Sequence, residues 1–251
     1  MTMFVWNYII CTGLAIVFKG NLKFEADQNG LLFAVILGAV TGILYLVNFI
    51  FLQVNIRKNG VVLSATFMKL GVLVPIVMAL AVFREKPKLL QIAGCILAVI
   101  AIILVQFEKE AAGHGAHKIL LILLLFISGF TDSLCNVFDK LGNIRLKEEY
   151  LILTFLAAAA AAGGLKILKH QKTTVWDIFF GIIIGVPNYF SARFLLLALG
   201  SLPAVVVYPM YSVSTIVCIT CAGLVLFKEK LTKQKIAALC LILAAVLCIN
   251  L

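Results

Sequence analysis

The sequence predicts an all-α fold, a polytopic membrane helix bundle made of two inverted repeats. Three observations lead there. Of 251 residues, 63% are apolar or aromatic and 13% are charged, against about 25% charged in an ordinary soluble domain. The apolar residues fall into long runs with short polar punctuation. The chain also resembles itself when shifted by 144 positions. The composition excludes a lone soluble core, which would have too little polar surface to show to water, and it excludes disorder.

Nine apolar segments are expected to span the membrane. Backbone groups in lipid must be satisfied within the segment, so these are helices rather than open strands. Phe4–Phe18 ends at Lys19-Gly-Asn. Leu31–Gln53 runs to Arg57-Lys-Asn-Gly, and Val61–Phe83 to Arg84-Glu-Lys-Pro. Leu89–Phe107 precedes the loop holding Gly113-His-Gly. Lys118–Phe138 stops at Lys140-Leu-Gly-Asn, and Tyr150–Leu168 precedes the basic loop holding His170. Ile178–Leu199 has Trp176 near its start, as Trp6 lies near the start of the first segment. Amphipathic rings prefer such interfacial positions. Ala204–Phe227 is closed by Lys228-Glu-Lys, and Lys235–Leu251 is short and reaches the last residue.

The repeat is the most informative feature. A shift of 144 places Phe83-Arg-Glu-Lys on Phe227-Lys-Glu-Lys, Tyr45 on Tyr189, and Val61-Val62 on Val205-Val206. From Leu80 to Ala101, eight of 22 positions are identical. Residues 1–110 read as a first repeat of four helices and 111–251 as a second of five. Lys118–Phe138 has no counterpart, so the expected architecture is five plus five with its first helix absent. A five-helix repeat has odd parity, so the second copy enters the membrane inverted, as in many secondary transporters.

Two halves that each end in helix, Phe-basic-Glu-Lys and closing helix resemble the EamA-type members of the drug/metabolite transporter superfamily. The resemblance rests on Pro75 through Val105 and Pro209 through Leu251. Arg84 and Lys228 stand where that family usually has Gly. It implies transport of small metabolites of widely varying kind. Locally, Glu85 and Glu229 are expected to favour the starts of the helices that follow them. Thr232 is expected to cap the last helix, with Leu231 and Ile236 as a hydrophobic staple.

Charges in mid-membrane cost on the order of 3 kcal/mol on insertion scales, so they mark sites. Lys69, Arg193 and Asp132 are such charges. One reading pairs them with one another. The other lets the cations hold an anionic substrate group while Asp132 carries a coupling proton. Ser128, Asp132 and Asn136 share one helix face by spacing, as do Tyr208, Tyr211, Ser212 and Thr215, and as do Thr41, Tyr45 and Asn48. The expected substrate-binding set is Tyr45, Asn48, Lys69, Asp132, Asn136, Asn188, Tyr189, Arg193, Tyr208 and Tyr211. Gly38-x-x-x-Gly42 and Gly181-x-x-x-Gly185 are expected to allow close helix packing. Pro75, Pro187 and Pro209 are candidate kinks.

The formal charge of +10 comes from cations in short loops, which anchor helix ends and meet anionic lipid rather than nucleic acid. The seven cysteines all lie in apolar runs, which argues against a disulfide framework. Cys218-Ile-Thr-Cys221 and His114-Gly-Ala-His117 are too isolated for metal sites. No catalytic constellation is evident, so the chain is expected to be no enzyme and to need no cofactor or metal. The resulting expectation is a secondary transporter of a small anionic or zwitterionic metabolite, working by alternating access in a bacterial inner membrane. The alternative is a non-transporting accessory or partner subunit, or an inactive shortened paralogue. Partners are a small-molecule substrate and the bilayer, with proton coupling and a homodimer left open.

Overall fold

The computed structural model describes residues 2–19, 28–106, 117–226 and 233–250. Among them are ten α-helices and a short 3-10 turn, and no strand. The helices are α1 (Thr2–Lys19), α2 (Gln28–Asn59), α3 (Val61–Leu70), α4 (Leu73–Ala81), α5 (Leu89–Gln106), α6 (Lys118–Leu141), α7 (Lys147–Leu168), α8 (Val175–Leu199), α9 (Ala204–Leu226) and α10 (Lys233–Asn250). The fold is the all-α membrane helix bundle that the hydrophobic runs specify. Five of the described helices, α1, α2, α6, α7 and α8, are long and apolar enough to cross a bilayer. At 1.5 Å per residue, the 32 residues of α2 reach about 48 Å, beyond the roughly 30 Å hydrocarbon core. Its basic end, Arg57-Lys58, can therefore stand at the headgroups.

One expected segment is corrected. Val61–Phe83 is two helices, α3 and α4, parted at Gly71-Val72. Pro75 is the cause, since its ring excludes the carbonyl of Gly71 and it has no N–H to offer. The freed backbone turns tighter: Val72 N–H donates to the Lys69 carbonyl at 3.2 Å and Val74 N–H to the Gly71 carbonyl at 2.9 Å. Pro187 and Pro209 instead lie inside the unbroken helices α8 and α9.

The described chain divides into two compact units, Met1–Phe49 with Leu134–Ser201, and Ile50–Ser133 with Leu202–Leu251. Both take residues from both halves of the sequence, and α2 and α6 contribute to each. In the first unit α1 packs on α7 and α8. The glycine pairs act there as their spacing predicts. A Cβ at Gly181 would meet Trp6 Cβ, and one at Gly185 would lie 2.8 Å from the Asn7 carbonyl. A Cβ at Gly42 would run into the Thr154 carbonyl, and one at Gly38 would lie 3.2 Å from the Tyr150 carbonyl. Small Ala158 and Ala162, both fully buried on α7, serve the same close approach. Tyr150 stacks on Phe138 at 4.2 Å between ring centres and shares a 3.0 Å hydrogen bond with Thr41.

In the second unit α10 packs on α5 and α9, α3 on α5, and α4 and α5 on α9. The α3–α4 break sits against α6, where a Cβ on Gly71 would lie 3.0 Å from Gly129 N and one on Gly129 would meet the Gly71 carbonyl. Asn55 Nδ2 ties α2 to α6 through the Leu120 carbonyl at 3.1 Å.

The acidic turn after α4 has a partner that the sequence did not indicate. Glu85 reaches a helix other than the one that follows it. Its carboxylate accepts from the N–H groups of Ala204 and Val205, each at 3.2 Å, and so caps α9. The first N–H groups of a helix lack intrahelical partners and favour negative charge, which explains the choice of an acid. Arg84, at φ 52°, takes the left-handed conformation that ends α4, and Glu85 N–H closes that end on the Ala79 carbonyl at 3.0 Å. A glycine would fit there without strain. Leu231, Thr232 and Glu229 lie outside the described residues.

Candidate functional site

The ten expected site residues fall into two constellations, one in each unit. The second unit holds Lys69, Asp132, Tyr208 and Tyr211. Lys69 is the penultimate residue of α3, immediately before the helix break, and is half-buried. Its ammonium lies 5.9 Å from the centre of the Tyr211 ring, at the outer range of a cation–π contact. Asp132, also half-buried, is near enough to Lys69 for the two charges to interact. Tyr208 is 1% exposed, and its hydroxyl donates to the Asp132 carbonyl at 2.7 Å. One turn before Asp132, Ser128 donates to the Met68 carbonyl at 3.3 Å. Ser128 and Asp132 of α6 therefore lie against the broken helix. A cation, a carboxylate and two phenols converge where helix backbone is interrupted, an arrangement suited to holding a charged group.

The first unit holds the other six. Arg193 on α8 pairs with Glu148 at 3.1 Å, donates to the Tyr189 hydroxyl at 3.0 Å, and lies 4.7 Å from the Phe18 ring centre. Lys19 pairs with Glu149 at 2.9 Å and Lys147 approaches Asp139 to 3.8 Å. Charges this enclosed are costly to hold without a partner, so removing one member of a pair would leave the other uncompensated. Tyr45 stacks at 6.2 Å on Phe155, which lies 6.2 Å from Tyr189. Asn188 Nδ2 donates to Asn7 Oδ1 at 3.4 Å. Asn48 is 7% exposed and Asn136 is fully buried. Among the described residues, Asn48 Oδ1 and both polar atoms of the Asn136 side chain have no hydrogen-bond partner. Among the same residues, neither have Asn7 Nδ2 and the Tyr8 hydroxyl, both fully buried. Buried polar atoms left unsatisfied cost free energy, so such clusters mark places that water or a ligand completes.

Sequence reasoning missed several of these residues. Glu148 and Glu149 open an apolar run together, and that acidic pair was the available signal for partners to Arg193 and Lys19. Asn7 and Cys11 lie i, i+4 on α1, the same stripe rule that found the α6 face. Cys11 Sγ donates to the Gly185 carbonyl at 3.2 Å, fixing that seam.

Comparison with known proteins adds the following. Residues 148–242 match the family described as Small Multidrug Resistance protein, so this stretch of the chain is similar to that family. A protein of Haemophilus influenzae (strain ATCC 51907 / DSM 11121 / KW20 / Rd), named only "Uncharacterized protein", is 26% identical over 207 residues. The match covers 80% of this chain and 70% of the relative. A solved structure described as "Crystal structure of protein" superposes with a TM-score of 0.74 at 11% identity, over 100% of this chain and 88% of the other. That likeness is one of fold.

Proposed function

We propose that this chain is a secondary transporter of the EamA type. It would move a small anionic or zwitterionic metabolite by alternating access between two inverted repeats. The observation that carries the proposal is Lys69, held at a broken helix in the company of Asp132 and Tyr211. Interrupted helices near the midplane are where many secondary transporters bind their cargo. The similarity of residues 148–242 to a drug-resistance family supports a transport role. The bacterial relative supports a bacterial inner membrane.

In this reading Lys69 holds an anionic group, and the Tyr208 and Tyr211 rings shape the site around it. Asp132 exchanges the coupling proton. Arg193 is matched by Glu148, so anion recognition rests mainly on Lys69.

A second reading, export of drugs, is favoured by the name of the matched family. A thermal-shift screen of the detergent-solubilised chain against anionic, zwitterionic, cationic and neutral compounds separates the two. A ligand at about 100 times its dissociation constant stabilises by about 2.7 kcal/mol. The metabolite reading expects an anionic or zwitterionic hit that disappears in Lys69→Ala. A hit confined to cationic drugs would overturn it.

A further inference from the structure

Between α4 and α5 the second unit carries an open groove of about 290 Å³ with no polar lining. Its floor is Ile76, Cys95 and Val205, all buried. The one hydrogen-bonding side chain among them is turned inward, since Cys95 Sγ donates to the Val205 carbonyl at 3.2 Å. A polar metabolite would find no partner there. From Ile92 to Ile100, which lie at opposite ends of the α5 wall, the groove runs about 12 Å at 1.5 Å per residue.

One end of the groove has a particular chemistry. Leu80 and Ile92 flank it there, and the connection between α4 and α5 carries Arg84, Lys86 and Lys88, all exposed. The acid in that connection, Glu85, accepts from the N-terminus of α9, and the three cations outnumber it. An apolar slot that ends in cations beside a membrane-spanning bundle matches one molecule in both its parts.

We propose that this is a site for an anionic phospholipid, with an acyl chain in the α4–α5 groove and the phosphate against Arg84 and Lys86. Basic residues at the bilayer surface attract anionic lipid, and each adds to the preference over a zwitterionic headgroup. The proposal does not depend on the transport reading, because its readout is lipid retention.

The test is native mass spectrometry of the full chain, purified in detergent and equilibrated with equal amounts of phosphatidylglycerol and phosphatidylcholine. The wild type should retain one phosphatidylglycerol per chain in preference to phosphatidylcholine. The Arg84→Gln, Lys86→Gln variant should lose roughly ten- to thirtyfold of that preference. Ile96→Trp adds bulk at an exposed rim position, and should lower retention of both lipids. Helical circular dichroism of each variant confirms that it is folded. Equal retention of the two lipids by the wild type would overturn the proposal. So would undiminished preference in the double variant, or unchanged retention in Ile96→Trp. Dimers that lose association in Ile96→Trp while no lipid is retained would instead assign the groove to a second copy of the chain.

Discussion

At the scale of single residues, charge burial does most of the work. Lys69 remains the strongest marker of a site because its environment combines a carboxylate, an aromatic face and a backbone break. Its replacement by alanine should abolish ligand-induced stabilisation while leaving the helix content unchanged. Glu85 has a different kind of role. It holds two otherwise unpaired N–H groups at the start of α9, and hydrogen bonds to a charged group contribute about 1.5–3 kcal/mol. Glu85→Ala should therefore lower unfolding stability in detergent by about 2 kcal/mol. An equally stable variant would show that the cap is dispensable. The identity of these residues was legible in the sequence. Their partners were not. Nothing local to Arg193 indicates Glu148, and nothing near Glu85 indicates Ala204, because a pairing across helices is set by packing.

At the scale of elements, the apolar runs located nearly every helix, with ends displaced by a few residues where polar turns joined the helix. The exception was the α3–α4 break. Periodicity carries no mark of it, since apolar residues continue through Gly71, and only Pro75 signalled a local fault. The Gly-x-x-x-Gly pairs were legible because a missing side chain has one main use between membrane helices. Their importance can be graded by substitution. Gly42→Ala would drive a methyl group into the Thr154 carbonyl and should cost about 1–3 kcal/mol in detergent unfolding. Gly163→Ala, where nothing lies within 4 Å of the added carbon, should be neutral or stabilising by about 0.5–1 kcal/mol. Similar losses for both would show that helix propensity, not close approach, governs these positions.

At the scale of the whole molecule, the proposed transport rests on a few charges set among apolar helices. Asp132 is assigned the coupling proton, so transport by reconstituted wild-type protein should respond to an imposed pH gradient. Asp132→Asn should remove that response. A pH-driven rate that survives the substitution would move coupling elsewhere. Composition revealed the membrane, and the 144-residue repeat pointed to a transporter of two related halves. The buried polar cluster on α1 was less legible, because Asn7 and Tyr8 gain meaning only once burial leaves Asn7 Nδ2 and the Tyr8 hydroxyl without a hydrogen-bond partner among the described residues.

The most direct measurement is the ligand screen of the purified chain, run beside Lys69→Ala under the same conditions. An anionic or zwitterionic metabolite should raise the unfolding temperature of the wild type and leave the variant unmoved. A metabolite that stabilises both proteins equally, or stabilisation only by compounds without an anionic group, would contradict a site built on Lys69.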